Sequence, residues 1–224
     1  MFTIDYTHIY MYNWNQSSHS DYTRKLSRKE CMKIAFLRHS LTLLADDDSS
    51  RVLSPEGIEL ARQKRAANGN PEFDVIVHSR KIRTRQTGLI YAGKEDDPNV
   101  KTYAVPQLWM LDYYGSTRVI DAAYDRFGNS GVRSYFDHCS EAMYEFANGA
   151  TDALIPRFMH YSERGMKNVL VVGHAILTQA ICVNLIGDGP LPADLLDDVL
   201  GECEGYEFAF DINHYKFEFV GLLK

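Results

Sequence analysis

Three places in the chain set a cation or an imidazole at the end of an apolar run. Arg38 and His39 follow Lys33 to Leu37, Arg83 stands just beyond the run Phe73 to Ser79, and His174 follows Gly173 near the end of the run Lys167 to Ala175. An imidazole is a nucleophile or acid–base group near neutral pH. A guanidinium presents a fork of donors that matches phosphate oxygens. Taken singly, an Arg-His pair reads as a strand-end salt bridge and an arginine on a helix as a solvated charge. Two histidines and two arginines, delivered by three strand ends of one chain, argue instead for an anion site holding a nucleophile.

The elements that must position these groups are legible from periodicity. Lys33 to Leu37, with β-forming Ile34 and Phe36, reads as a buried strand. Ser40 to Thr42 then turn the chain before the polar stretch Asp46 to Ser50. Ser54 is a candidate N-cap, Pro55 suits the first helical position, and Ile58, Ala61 and Ala66 make an inner face. Asn68, Gly69 and Asn70 end that helix. Phe73 to Ser79 is a second strand and runs straight into a helical segment, Arg80 to Lys94. There the spacing sets Arg80, Arg83 and Thr87 near one face, with Arg83 in the first turn, where N–H groups and the dipole favour an anion. Val100 to Pro106 is a third strand. Gln107 to Gly115 is aromatic and covers something. Residues 117–148 form a helical pair interrupted at Gly128 to Gly131, and Ala150 to Arg164 a further helix holding Pro156. Lys167 to Ala175 is the most strongly marked strand, followed by the helix Ile176 to Gly187. Asp194 to Leu200 is a short helix. Tyr206 to Asp211 and His214 to Leu222 close the chain as a hairpin about Asn213. Strands alternating with helices imply an α/β fold, a three-layer α/β/α sandwich whose mainly parallel sheet has an antiparallel edge.

Composition removes several function classes. The chain has 224 residues, 45% hydrophobic and 24% charged, as in ordinary globular domains. A net charge of −6 argues against a general nucleic-acid binder. Cys31, Cys139, Cys182 and Cys203 are too far apart for a zinc site or a dense disulfide framework, so reduced thiols are expected. No apolar run reaches the roughly 18 residues of a membrane span, and the first residues lack the basic start of a secretory signal. A cytoplasmic location follows by default. Residues 1–31, rich in Tyr, Ser and Asn, read as an N-terminal extension. Residues 32–224 read as one catalytic domain with a helical insertion at about 107–148.

In order, the motifs are strand-Arg-His, strand-Ser-x-x-x-Arg-x-x-Gln-Thr and strand-Gly-His. The sequence here resembles the histidine phosphatase superfamily, also called phosphoglycerate mutase-like. Leu37 to Thr42 (LRHSLT) is similar to its Arg-His-Gly-x-Thr motif. Leu53 to Gln63 resembles its Leu-Thr-x-x-Gly helix start. Ser79 to Thr87 (SRKIRTRQT) resembles its Ser-x-Leu-x-Arg-Ala-x-Gln-Thr segment. Val169 to Ala175 resembles the strand carrying its second histidine. The resemblance covers about residues 32–222 and implies a phosphoglycerate mutase-like fold. It also implies roles: His39 as the nucleophile that becomes phosphorylated, and Arg38, Arg83 and His174 as holders of the phosphoryl oxygens. It implies no metal and no cofactor.

Three departures stand out. Ser40 and Ala175 replace the family's glycines, each adding a small side chain near the phosphate. The acidic proton donor expected after the third strand is missing from its usual place, and Asp112 is the nearby carboxyl that can substitute. Ala45 also stands where mutase-type members often have Asn. The reading is therefore a phosphatase acting on a phosphomonoester or a phosphohistidine, with a small phosphorylated molecule or a phosphoprotein as partner. The alternatives are a catalytically silent member that binds phosphorylated ligands or a protein partner and, less favoured, a phosphoglycerate-type mutase.

Overall fold

The computed structural model describes residues 31–109, 117–187 and 192–224. The extension read at residues 1–31 therefore lies outside the described residues except for Cys31, which already begins the first strand.

Six strands form one sheet in the order β3-β2-β4-β1-β5-β6. They are β1 (Cys31–Arg38), β2 (Val75–His78), β3 (Thr102–Ala104), β4 (Asn168–Gly173), β5 (Gly205–Asp211) and β6 (Lys216–Leu223). The first four are mutually parallel, and β5 and β6 add an antiparallel edge. β1 is apolar on both faces because both are covered. Ile34 and Phe36 pack toward one helical layer, while Ala35 and Leu37 pack toward the other. The fold is the expected three-layer α/β/α sandwich.

One layer holds α1 (Pro55–Ala67) and α2 (Ile82–Ala92), and the other holds α3 (Thr117–Phe127), α4 (Arg133–Glu163) and α5 (Ala175–Ile186). A short α6 (Ala193–Asp197) leads into β5. Aromatic rings fill the space under α4: Phe36 meets Phe158 at 6.5 Å and Phe208 at 5.7 Å, both edge-on. Such pairs add to the area they bury.

The sequence reading needs four local corrections. The expected helix Ala150 to Arg164 is the second part of the 31-residue α4, whose break falls at Cys139 and not at Gly149 or Pro156. The buried stripe Ala142, Phe146, Ala150, Leu154 and Phe158, repeating every four residues, carries the helix through both positions. Ala66, assigned to the inner face of α1, is exposed, and Gly57 and Ala61 are the buried residues of that helix. β2 and β3 are shorter than expected, and both end before the turns that lead to the site. His214 lies in the final turn, its ring 2.8 Å from the Asp211 carboxylate, and not in the last strand.

Ser54 caps α1 as expected, its hydroxyl accepting from the Gly57 N–H at 3.0 Å. Gly57 is there for close approach. A Cβ on it would fall 2.1 Å from the Leu41 carbonyl oxygen, in the segment that follows His39. Helix propensity alone makes Gly57→Ala stabilising by about 1 kcal/mol. Overpacking against the backbone makes it destabilising by about 1–3 kcal/mol. We expect the second sign, read as a lower urea midpoint, and a raised midpoint would show that the Leu41 segment yields freely.

Candidate active site

Strand order brings the chemistry together. β4 lies between β1 and β2, with Arg38 opposite Gly173 in the β1–β4 register and His78 opposite Val172 in the β2–β4 register. The residues just past these strands, His39, His174 and Ser79, therefore meet at the carboxyl edge of the sheet, where open α/β sheets place ligands. The His39 and His174 rings are 5.1 Å apart, edge to face. Arg83, the second residue of α2, reaches His39 with its Nε 3.3 Å from Nε2.

The His39 ring is fixed at one nitrogen. Its Nδ1 lies 2.7 Å from the Ser40 carbonyl oxygen, so that nitrogen carries the proton. A neutral ring then leaves a lone pair on Nε2. Burial lowers the His39 pKa, only partly opposed by the bond to Ser40, and Arg83 and Arg38 lower it further, to about 3. His174 is likewise held well below the usual range by burial first, then by His39, Arg83 and Lys81. Its Nε2 is 2.9 Å from the Ser79 hydroxyl, which also bonds Thr84.

Arg38 is anchored at two nitrogens, donating from NH1 to the Leu200 carbonyl at 2.5 Å and from NH2 to Glu202 at 2.7 Å. Its Nε is buried with no partner. The first turn of α5 lines the same cavity through Ala175, Ile176 and Leu177, so the amino end of a 12-residue helix adds its favourable field for an anion.

The departures now have places. Ser40 is completely buried and its hydroxyl donates to the Gly57 carbonyl at 2.7 Å, so the side chain fastens the loop to α1 and does not line the cavity. Its N–H donates to the Thr87 hydroxyl at 3.0 Å, and that hydroxyl donates to the Arg83 carbonyl at 2.8 Å. Thr87 thus ties the loop after His39 to the turn carrying Arg83. Ala175 lines the cavity. Arg80 is exposed and precedes α2, apart from Arg83 and Thr87, which are buried. Asp112 lies outside the described residues.

Four site residues escape a reading from sequence. Asp48 sits 2.9 Å from the Lys81 ammonium and 3.2 Å from an Arg83 nitrogen. Burial raises its carboxyl pKa, but the bond to Lys81 and the charge of Arg83 outweigh that and hold it below the usual value. Lys81 takes the position of Leu in the pattern Ser-x-Leu-x-Arg. A cation at the amino end of α2 opposes the helix dipole, and Asp48 offsets it. Trp109 packs 4.2 Å from the His174 ring, with Lys81 4.9 Å from its centre. Asp121 lines the cavity from α3. The one available signal was Lys81, a charge where the pattern has an apolar residue. The other three are joined to the site only by the fold.

Around the two histidines, Arg38, Arg51, Lys81 and Arg83 thus outnumber Asp48 and Glu202. That excess suits a phosphate dianion. Among the described residues no group of three or more His, Cys, Asp or Glu is placed to hold a metal ion, and no helix is long and apolar enough to cross a membrane.

No family model matches the sequence, and no curated protein does. Solved structures do match. The protein histidine phosphatase SixA complexed with tungstate aligns at TM-score 0.56 and 16% identity, over 86% of this chain and 97% of that one. Phosphoglycerate mutase from Bacillus anthracis str. Sterne aligns at TM-score 0.59 and 14% identity, over 86% and 93%. A mycobacterial glucosyl-3-phosphoglycerate phosphatase aligns at 0.58 and 16%, over 84% and 97%. The chain therefore has the fold of the histidine phosphatase superfamily, the phosphoglycerate mutase-like fold that its motifs resemble.

The depressed histidine pKa values set a pH dependence. Below the ordinary value of 6.5 the unfolded chain takes up a proton that folded His39 refuses until about pH 3. The unfolded state then binds more protons, so stability falls as pH drops below 6.5. We expect the melting temperature at about pH 5 to lie below that at about pH 7.5, with a smaller gap in His39→Gln. Equal gaps in the two proteins would show that His39 titrates normally when folded.

Proposed function

We propose that this protein is a metal-independent phosphatase that hydrolyses a phosphomonoester or a phosphohistidine through a phosphorylated His39. The observation that carries the reading is a neutral His39 whose Nε2 lone pair lies 3.3 Å from the Arg83 guanidinium, with the His174 ring 5.1 Å away.

In this reading substrate phosphate displaces the resting contact of Arg83 with His39, and the guanidiniums take the phosphoryl oxygens. His39 Nε2 forms a bond to phosphorus as the bond from phosphorus to the leaving oxygen or nitrogen breaks. The leaving atom takes a proton, with Asp112 as the proposed donor. Water then attacks phosphohistidine, releasing phosphate and restoring the imidazole. Each preorganised donor of this kind lowers the barrier by roughly 3–4 kcal/mol. The SixA and mycobacterial phosphatase likenesses support the reaction class, and the net positive charge around the phosphate position supports a dianionic substrate. A silent binding protein would have no need of a neutral imidazole with its lone pair at the phosphate position.

Two experiments test the reading. His39→Ala should abolish phosphate release while the protein stays folded, and brief exposure of the natural protein to labelled substrate should leave phosphate on His39. A folded, active His39→Ala protein would sink the mechanism. If Asp112 donates the leaving-group proton, Asp112→Asn should slow alkyl phosphate hydrolysis by about 10²–10⁴-fold and leave nitrophenyl phosphate hydrolysis near normal. Equal small losses on both would make Asp112 a bystander.

A further inference from the structure

We infer that the cavity beyond the phosphate position is a leaving-group subsite for an uncharged or cationic aromatic ring, and not for a second anion. The inference rests on the phosphatase reading for where the phosphate lies.

The cavity measures about 420 Å³, room for a ring joined to a phosphate. Its polar end is the set of cations and histidines already described. Its other walls are Trp109, Ile120, Tyr124, Tyr135, Ile176 and Leu177. Ile120 and Tyr124 are four residues apart on α3 and so share a face. The Tyr135 hydroxyl donates to the Gly128 carbonyl at 2.5 Å, so its hydrogen is spent there and its ring is left as wall. Apolar and aromatic walls of this kind reward a flat ring by burial and by edge or offset contacts. Among the described lining residues they offer the hydroxyls of a sugar little beyond the Tyr124 hydroxyl and the Asp121 carboxylate.

Charge points the same way. The lining cations Arg38, Arg51 and Arg83 are all engaged around the phosphate position, with Glu202, Asp48 and His39. Among the described lining residues, Asp121 is the only charged group contributed by the helical wall. Burial, with Asp125 beside it, raises its pKa, and no cation among the described residues offsets it. A carboxylate or second phosphate on the leaving group would face Asp121 with no free cation among the described lining residues to answer it. A neutral ring meets no such penalty, and an imidazolium or other cationic ring meets a partner.

Binding of two non-hydrolysable probes, phenylphosphonate and phosphonoacetate, separates the cases by calorimetry, independently of turnover. Phenylphosphonate should bind about tenfold or more tighter. Tyr124 is 53% exposed and Asp121 is exposed, so substitutions there leave the core intact. Tyr124→Ser should narrow the preference by about three- to tenfold. Asp121→Lys should narrow it from the other side, by strengthening phosphonoacetate. Equal or tighter binding of phosphonoacetate by the natural protein overturns the subsite, as does failure of either substitution to move the ratio, or of both probes to bind. A retained phenylphosphonate preference, without phosphate release from aryl, alkyl or phosphohistidine substrates, overturns the phosphatase reading and leaves the subsite standing.

Discussion

Two imidazoles are kept neutral among guanidiniums at the edge of a buried sheet, and the rest of the site depends on that constraint. Desolvation supplies the larger part of it and the neighbouring positive charges the rest. A protonated His39 would be repelled by Arg83 and Arg38 and would have no lone pair on Nε2. A neutral His39 with its Nδ1 proton on the Ser40 carbonyl can sit 3.3 Å from the Arg83 Nε, which donates to it. The cations around the histidines and the neutrality of those histidines are therefore one arrangement. Each needs the other, and both need the water-poor end of a sheet covered on both faces.

The fold enforces this with few parts. Parallel pairing of β1 with β4 and of β4 with β2 sets three strand ends side by side. The backbone just beyond is then locked: the His39 N–H donates to the Gly173 carbonyl at 3.1 Å, and Ser40 is held by Thr87 and Gly57. The Asp48 carboxylate lies where Lys81 and Arg83 would otherwise face each other unscreened. An anion entering the site meets those same donors, so Asp48 is the group it must compete with.

Much of this was legible in the sequence, for a local reason. Buried strands of a parallel sheet are continuous apolar runs, and a charged residue ending such a run shows where the carboxyl edge lies. His39, Arg83 and His174 could be found that way, and Ser54 and Pro55 gave the start of α1. What could not be read depends on contacts between residues distant in sequence. The path of α4 through Pro156 is set by packing against the sheet, not by helix propensity. The inward hydroxyl of Ser40 follows from how closely α1 approaches. Asp48, Trp109 and Asp121 carry no local mark, because an acid in a polar loop, a Trp in an aromatic segment and an Asp on a helix are each ordinary until the fold gathers them.

The central claim is that folded His39 is neutral, with its proton on Nδ1 and its lone pair on Nε2. Nitrogen-15 NMR of the imidazoles, with His39 assigned by comparison with His39→Gln, tests it most directly. The account predicts an unprotonated Nε2 signal and a protonated Nδ1 signal for His39, unchanged from about pH 8 to about pH 5. A His39 ring that takes up its second proton near the ordinary value of 6.5, or that carries its single proton on Nε2, would contradict it.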